Sequence, residues 1–198
     1  MINASLAILS SGYSSRMGLD KASLKLGDKS LLERVSSRLS PFFEETILVT
    51  PDPSELTSTL FHRMVRDPKL GPLHAILLAL QESRCDMIFV VGVDMPFVNQ
   101  DVVEYMFTLN GDVIIPRHWN GLLEPLHSFY SKSCIQSIND SIRSGEDKSI
   151  SFLKGLPNVT YVNVIGIRAY DPELLTFFDI DTKEDLTKAE EILKNVET

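Results

Sequence analysis

The chain has 198 residues, 43% hydrophobic and 23% charged, a balance that belongs to folded globular proteins and excludes intrinsic disorder. Its formal charge of −8 argues against a nucleic-acid or anionic-membrane partner, because such surfaces are held by excess Lys and Arg. No apolar run approaches the roughly 20 residues that span a bilayer. The two cysteines, Cys85 and Cys134, lack metal-ligand spacing and are too few for a disulfide framework, which points to reduced thiols and a cytoplasmic location.

Strand-like and helix-like segments alternate without linker, repeat or low-complexity tract, so residues 1–198 are expected to form one α/β domain with a mostly parallel sheet covered by helices. Residues 5–9 read as the first strand, not a signal peptide, since no basic region precedes them. Leu31, Leu32, Val35 and Leu39 have helical spacing over 30–39. Residues 46–50 form the next strand, stopped by Pro51 and Pro53, followed by a short helix over 55–61 and a strand at 63–66. Gly71-Pro72 opens a buried helix over 73–81, with Pro72 suited to the first turn. MIFVVGV at 87–93 is the most continuous apolar run and the best central strand. Then come a helix over 100–109, strands at 112–116 and 126–130, and helices over 134–144 and 149–153. A strand at 159–164 precedes a final helix over 182–194, where Thr182 and Asp185 approximate a capping box.

The loop after the first strand, LSSGYSSRMGLDK, places small residues, Gly12 and Gly18, then Arg16 and Lys21 where a chain would bring backbone amides and positive charge to a polyphosphate. Taken alone, it is equally an ordinary turn with two solvated cations. Asp94, just past the central strand, is placed to hold Mg²⁺ or simply to cap a turn. Asp67 before Pro68, with Gly71-Pro72 opening a helix, again reads as either a ligand-facing helix start or a plain turn. These three pieces lie at predicted strand ends in chain order, where one cleft can gather backbone amides, cations and a metal. Neither a P-loop GK[ST] nor a G-x-G-x-x-G signature is present.

LSSGYSSRMGLDKASLKLGDKSLLERV, RDPKLGPLHAI, VVGVDMPF, EPLHSFY and FFDIDTKEDLTKAE together resemble the molybdenum cofactor guanylyltransferases over nearly the whole chain. The first and third blocks are shared with nucleotidyltransferases generally, whereas the GPL and EPL blocks point to the guanylyltransferase branch. The resemblance implies a Rossmann-like, GT-A-type fold with helices on both sheet faces. It also implies Mg²⁺-dependent transfer of GMP from GTP to molybdopterin with release of pyrophosphate. By motif, the family's GTP loop falls on Leu9, Ser10, Ser11 and Gly12, its phosphate-contacting lysine on Lys21, further nucleotide contacts on Thr50 and Asp67, and its Mg²⁺ ligand on Asp94; Gly71, at the helix start, is added as a nucleotide contact.

Three departures stand out. The family's usual L-A-G-G is Leu9-Ser10-Ser11-Gly12 here, so a side chain at 11 narrows the base slot or adds a hydroxyl. Thr50 replaces Asn or Ser, and GPLAG becomes Gly71-Pro72-Leu73-His74-Ala75, adding bulk beside the base site. Asp179 and Asp181 stand where guanylyltransferases often carry Asn; Asp181 is either a second metal ligand or a cap for the last helix. The histidines, His62, His74, His118 and His127, read as surface or packing residues, and Trp119 as a surface aromatic or a pterin stack. Arg117, Arg143 and Lys148 are candidate acceptor-phosphate contacts.

In the mechanism this implies, an already ionised acceptor phosphate attacks the α-phosphorus, while loop amides from Ser10 to Gly12, Arg16 and Lys21 hold the leaving pyrophosphate. Lys21→Ala is expected to cut turnover with the Tm nearly unchanged. The alternatives are a cytidylyltransferase, a guanylyltransferase for another phosphorylated acceptor, or a non-catalytic nucleotide- or cofactor-binding protein of this fold. The oligomeric state stays open.

Overall fold

The computed structural model describes residues 1–10, 13–14, 19–53, 61–146 and 148–196. Ser11, Gly12, Arg16, Gly18 and, apart from Phe61, the helix expected over 55–61 lie outside the described residues. A seven-stranded sheet carries the fold. Its strands are β1 (Ile2–Leu9), β2 (Phe43–Thr50), β3 (Arg63–Arg66), β4 (Met87–Gly92), β5 (Val113–Arg117), β6 (His127–Ser131) and β7 (Val159–Asn163). They lie in the order β7-β5-β6-β4-β1-β2-β3. Every pairing is parallel except those of β6, which runs antiparallel to both β4 and β5. From β1 the chain moves outward to β2 and β3, then crosses to the other side of β1 to lay down β4. This reversal makes β1 and β4 flank a topological switch point, where open parallel sheets leave a crevice beyond their carboxyl ends.

The period of two along each strand splits the apolar residues between two layers. Ala4, Leu6 and Ile8 of β1, with Phe89 and Val91 of β4, face α1 (Leu31–Leu39), α3 (Gln100–Phe107) and α6 (Lys183–Val196). Ala7 and Leu9, with Ile88 and Val90, face α2 (Pro72–Glu82) and α4 (Ile135–Arg143). Burial on both faces is why MIFVVG reads as unbroken apolar sequence, and each large side chain so buried contributes about 1.5–3 kcal/mol. The helices on both faces match the expected fold class. Among the described residues, no helix is long and apolar enough to cross a membrane.

Several boundaries differ from expectation for local reasons. β2 begins at Phe43 because Glu44 and Glu45, which hide the strand signal, sit on opposite faces, one exposed and one buried. The helix expected over 134–144 is a 3₁₀ turn, Lys132–Cys134, before α4, and the one expected over 149–153 is a 3₁₀ turn over Ser151–Gly155. The strand expected to end at 164 stops at Asn163, whose side chain accepts from the Ile165 amide and starts the short α5 (Val164–Ile167). α1 is capped as its sequence suggests: Ser30 and Glu33 form a reciprocal capping box.

Candidate active site

The carboxyl ends of β1, β2 and β4, together with the segment after β3, are tied into one rim. The Ser10 amide donates to the Val49 carbonyl at 2.9 Å, the Val93 amide to the Leu9 carbonyl at 3.0 Å, and the Asp67 amide to the Thr50 carbonyl at 2.8 Å. After Asp67 the chain turns sharply: the Lys69 amide donates to Asp67 Oδ1 at 2.7 Å, and Lys69 adopts φ 60°. Gly71, at φ 99°, then lets Pro72 start α2, whose first turn no side chain caps. Between this turn and the strand ends lies a cavity of about 300 Å³ lined by Leu9, Asp67, Lys69, Gly71, Pro72, Ala75, Val93, Asp94 and Leu126.

Against Asp94 of this lining, Lys21, only 5% exposed, sits between two carboxylates. Its Nζ donates to Asp94 Oδ2 at 2.8 Å and to Asp181 Oδ1 at 2.6 Å. Burial pulls the Lys21 pKa down, but the Asp94 and Asp181 carboxylates more than offset this and hold it above its usual value. The two carboxylates are fixed by backbone: the Ile180 amide donates to the Asp94 carbonyl at 2.9 Å, locking the C-terminal segment to the end of β4. Gly92 completes the fit, since a Cβ there would run into the Asp94 carboxylate. Beside them, burial and repulsion from Asp181 and Asp94 raise the pKa of Asp179. Burial likewise raises that of Glu124, opposed by His118, whose Nε2 lies 2.6 Å from Glu124 Oε1.

The neighbours of Asp181 bear on which residue caps the last helix. Thr182 Oγ1 accepts from the Asp185 amide at 3.1 Å, and Asp185 Oδ2 accepts from the Thr182 amide at 2.9 Å, so Thr182 caps α6. The Asp181 side chain reaches Lys21 instead.

The family model for the MobA-like NTP transferase domain matches residues 6–159. A protein of Pelotomaculum thermopropionicum named "Probable molybdenum cofactor guanylyltransferase" is 35% identical, covering 100% of this chain and 97% of its own. One of the same name from Peptoclostridium acidaminophilum is 31% identical over 95% of this chain and 89% of its own. This chain belongs to that family. The solved molybdopterin-guanine dinucleotide biosynthesis protein A of Archaeoglobus fulgidus superposes with a TM-score of 0.83 at 32% identity, covering 96% of this chain and 99% of that one. The Thermus thermophilus 2-C-methyl-D-erythritol 4-phosphate cytidylyltransferase shares the fold, with a TM-score of 0.71 at 16% identity over 96% of this chain and 98% of its own.

In this guanylyltransferase-family chain, the expected residues meet unequally. Leu9, Asp67, Gly71 and Asp94 line the cavity, and Lys21 joins Asp94 to Asp181. Thr50 stands behind, its carbonyl holding Asp67. The role expected for the Ser10 amide needs correction: both its N–H and its Oγ are committed to the Val49 carbonyl, because β1 and β2 still pair at that point. The expected phosphate-facing amides therefore reduce to Ser11 and Gly12, which with Arg16 lie outside the described residues. His74 is half-buried, its Nδ1 is buried without a hydrogen-bond partner, and it is not among the cavity's described lining.

Trp119 is 86% exposed, Arg117 lies over the Tyr161 ring at 5.0 Å, and Arg143 pairs with Asp140 at 3.6 Å. Lys148 is exposed, and none of these is among the cavity's described lining. Lys69 was missed altogether. The run Asp67-Pro68-Lys69-Leu70-Gly71 carries the signal, since an Asp before Pro favours a side-chain-to-amide turn that aims the next residue.

Proposed function

We propose that this chain is a Mg²⁺-dependent nucleotidyltransferase that moves GMP from GTP to molybdopterin in the cytoplasm, releasing pyrophosphate. The observation that carries the reading is the juxtaposition of Lys21 with Asp94, 73 residues away in sequence, which lines a cavity on the switch-point edge of the sheet. The relatives' names supply the substrates.

The residues fit a divalent cation. Two carboxylate oxygens converge on one positive centre, here the Lys21 ammonium, and one or two carboxylates plus phosphate oxygens are the ligand set that Mg²⁺ takes. Asp94 and Asp181 would hold it, and when bound it would neutralise charge on the phosphates. The chain's own groups do the rest. Lys21 and Arg16, with the amides of Ser11 and Gly12, bind the β- and γ-phosphates and stabilise the charge that grows on the leaving pyrophosphate. Asp67, Gly71 and the first turn of α2 fix the nucleoside end, so that the α-phosphorus stands in line with the attacking oxygen. That oxygen belongs to an acceptor phosphate that is ionised at neutral pH, so no general base is needed. A new P–O bond forms at the α-phosphorus as the bond to the bridging oxygen breaks, and the electron pair leaves with pyrophosphate.

Pyrophosphate release, measured with molybdopterin and each of GTP, CTP, ATP and UTP in Mg²⁺, tests this. Release with GTP alone is the expected result. Release with CTP instead would overturn the base assignment, and binding without release from any nucleotide would overturn the transferase.

A further inference from the structure

We infer that Lys21 is a built-in counter-ion that competes with the divalent cation for Asp94 and Asp181, so that the metal displaces it, most readily when the nucleotide's phosphates are there to receive it. This rests on the transferase reading above and deepens it to the order in which the site assembles.

The contrast in stiffness between the two partners carries the inference. Asp94 and Asp181 hang from backbone that is held twice over: Ile180 donates to the Asp94 carbonyl, and Asp181 leads directly into the Thr182–Asp185 cap of α6. Gly92 admits the Asp94 carboxylate against the strand, where nothing larger fits. Lys21, by contrast, reaches them on a four-carbon stem from a turn outside the sheet, and its ammonium is the part that can leave. It occupies Asp94 Oδ2 and Asp181 Oδ1 at 2.8 and 2.6 Å, the oxygens through which both carboxylates would reach one metal. A divalent ion bound through the same two oxygens would stand a few ångströms from the ammonium, and repulsion between the two cations sets them in competition.

The charges point the same way. One ammonium leaves the pair of carboxylates with a net negative charge, and Asp179 adds to it; a divalent ion in its place balances the pair and frees a cation for the polyphosphate next door. Replacement of the ammonium therefore becomes favourable when phosphates are present to receive it. The exchange depends on the aspartate at 181: an amide there would bind the ammonium without charge and the metal only weakly.

Mn²⁺ binding to the nucleotide-free protein, measured by electron paramagnetic resonance, tests the exchange without relying on activity. Lys21→Met and Lys21→Gln, checked for folding by circular dichroism, should each bind Mn²⁺ at least tenfold more tightly than the wild-type chain, and adding Asp181→Asn to either should abolish the gain. Equal or weaker binding by the folded variants overturns the inference, as does a gain that survives Asp181→Asn. A second measurement uses the unaltered chain. At a Mn²⁺ concentration that fills its site, acetylation of Lys21, read by mass spectrometry, should rise severalfold, and Lys21 still protected beside a filled site would refute the exchange. GTP-dependent pyrophosphate release is scored separately. Release with no tightening in the variants sinks the exchange alone, whereas absence of release sinks the transferase reading itself.

Discussion

Two clusters of carboxylate and cation lie toward opposite ends of the same parallel strands, and they differ in what surrounds them. Toward the amino ends, Glu45 of β2 is 2% exposed, and its Oε2 accepts the Ser5 hydroxyl at 2.8 Å and the Arg84 amide at 2.9 Å. Its Oε1 is left to the guanidiniums of Arg84 and Arg63, at 3.7 and 4.0 Å. Ser83 closes the group, its hydroxyl 2.7 Å from that of Ser5. At the carboxyl ends, Asp94 shares one ammonium with Asp181 and borders a cavity. In the first cluster the carboxylate is buried and held by a hydroxyl and an amide, with no cavity beside it among the described residues, so its role is to stabilise the fold. The second is open on one side and held by a movable cation, so its charge remains available to a ligand.

Substitution should therefore give opposite profiles at the two ends, with the largest effect at the cavity. Asp94→Asn and Lys21→Ala are each expected to lower pyrophosphate release about 10²–10³-fold or more, the scale of losing a preorganised charge partner in a transition state. The structure also revises the expectation of an unchanged Tm for Lys21→Ala. Removing a buried ammonium leaves Asp94 facing Asp181, so the Tm should fall. The loss stays below the roughly 3–5 kcal/mol of a fully buried pair, because the Asp181 side chain is 50% exposed. Glu45→Ala is expected to do the reverse: about 2–4 kcal/mol of stability lost in urea unfolding, with turnover per folded molecule unchanged. A Glu45 variant that keeps its stability and loses turnover would break the comparison.

A third buried polar residue sharpens it through pH. His127 of β6 is fully buried between Phe89 and Phe177, its Nε2 2.7 Å from Thr176 Oγ1, which also accepts the Asn99 amide at 3.0 Å. Burial lowers its pKa to about 4 from 6.5. Between those values the unfolded chain binds a proton that the folded chain refuses, so this contribution to stability is complete above pH 6.5 and is lost as the pH falls toward 4. The loss amounts to about 3 kcal/mol. His127→Gln should flatten that part of the stability–pH curve. Its effect reaches the site through the C-terminal segment that Thr176 anchors and through Leu126, its neighbour in the chain, which lines the cavity.

The sheet was largely legible in the sequence because β4 and the second half of β1, Leu6 to Leu9, are buried on both faces and so read as apolar runs. What was hidden is long-range. Lys21 meets Asp181 across 160 residues, and no local pattern announces such a pair. β6 runs against its neighbours because a short hairpin-like return from β5 inserts it, a reversal that the apolar stretch at 126–130 cannot signal. Glu45 looks like a strand breaker and is in fact the buried partner of Ser5. The candidate site residues were named by motif and by their place at strand ends, not by periodicity. The same motifs said nothing of Lys69, whose position depends on a turn closed by the Asp67 side chain.

The smallest of the expected effects comes from Gly92, which bears on how tightly the open cluster is built. Its amide donates to the Leu126 carbonyl at 3.2 Å and its carbonyl accepts from the Met95 amide at 3.3 Å, so its backbone cannot shift without loosening the end of β4. In Gly92→Ala the added methyl therefore displaces the Asp94 carboxylate, the far end of a side chain with two rotatable bonds, and leaves the strand in place. Rotating Asp94 Oδ1 away also turns Oδ2 out of line with Lys21. A displacement of this kind should cost about ten- to a hundredfold in pyrophosphate release, as small misplacements of catalytic groups do. The Tm should move little, because the cost is a side-chain rotation and not a cavity or a broken ladder. If Gly92→Ala instead unfolded the chain and spared turnover in the folded remainder, the carboxyl-end cluster would be as rigid and as purely structural as that around Glu45, and the contrast between the two ends would fail.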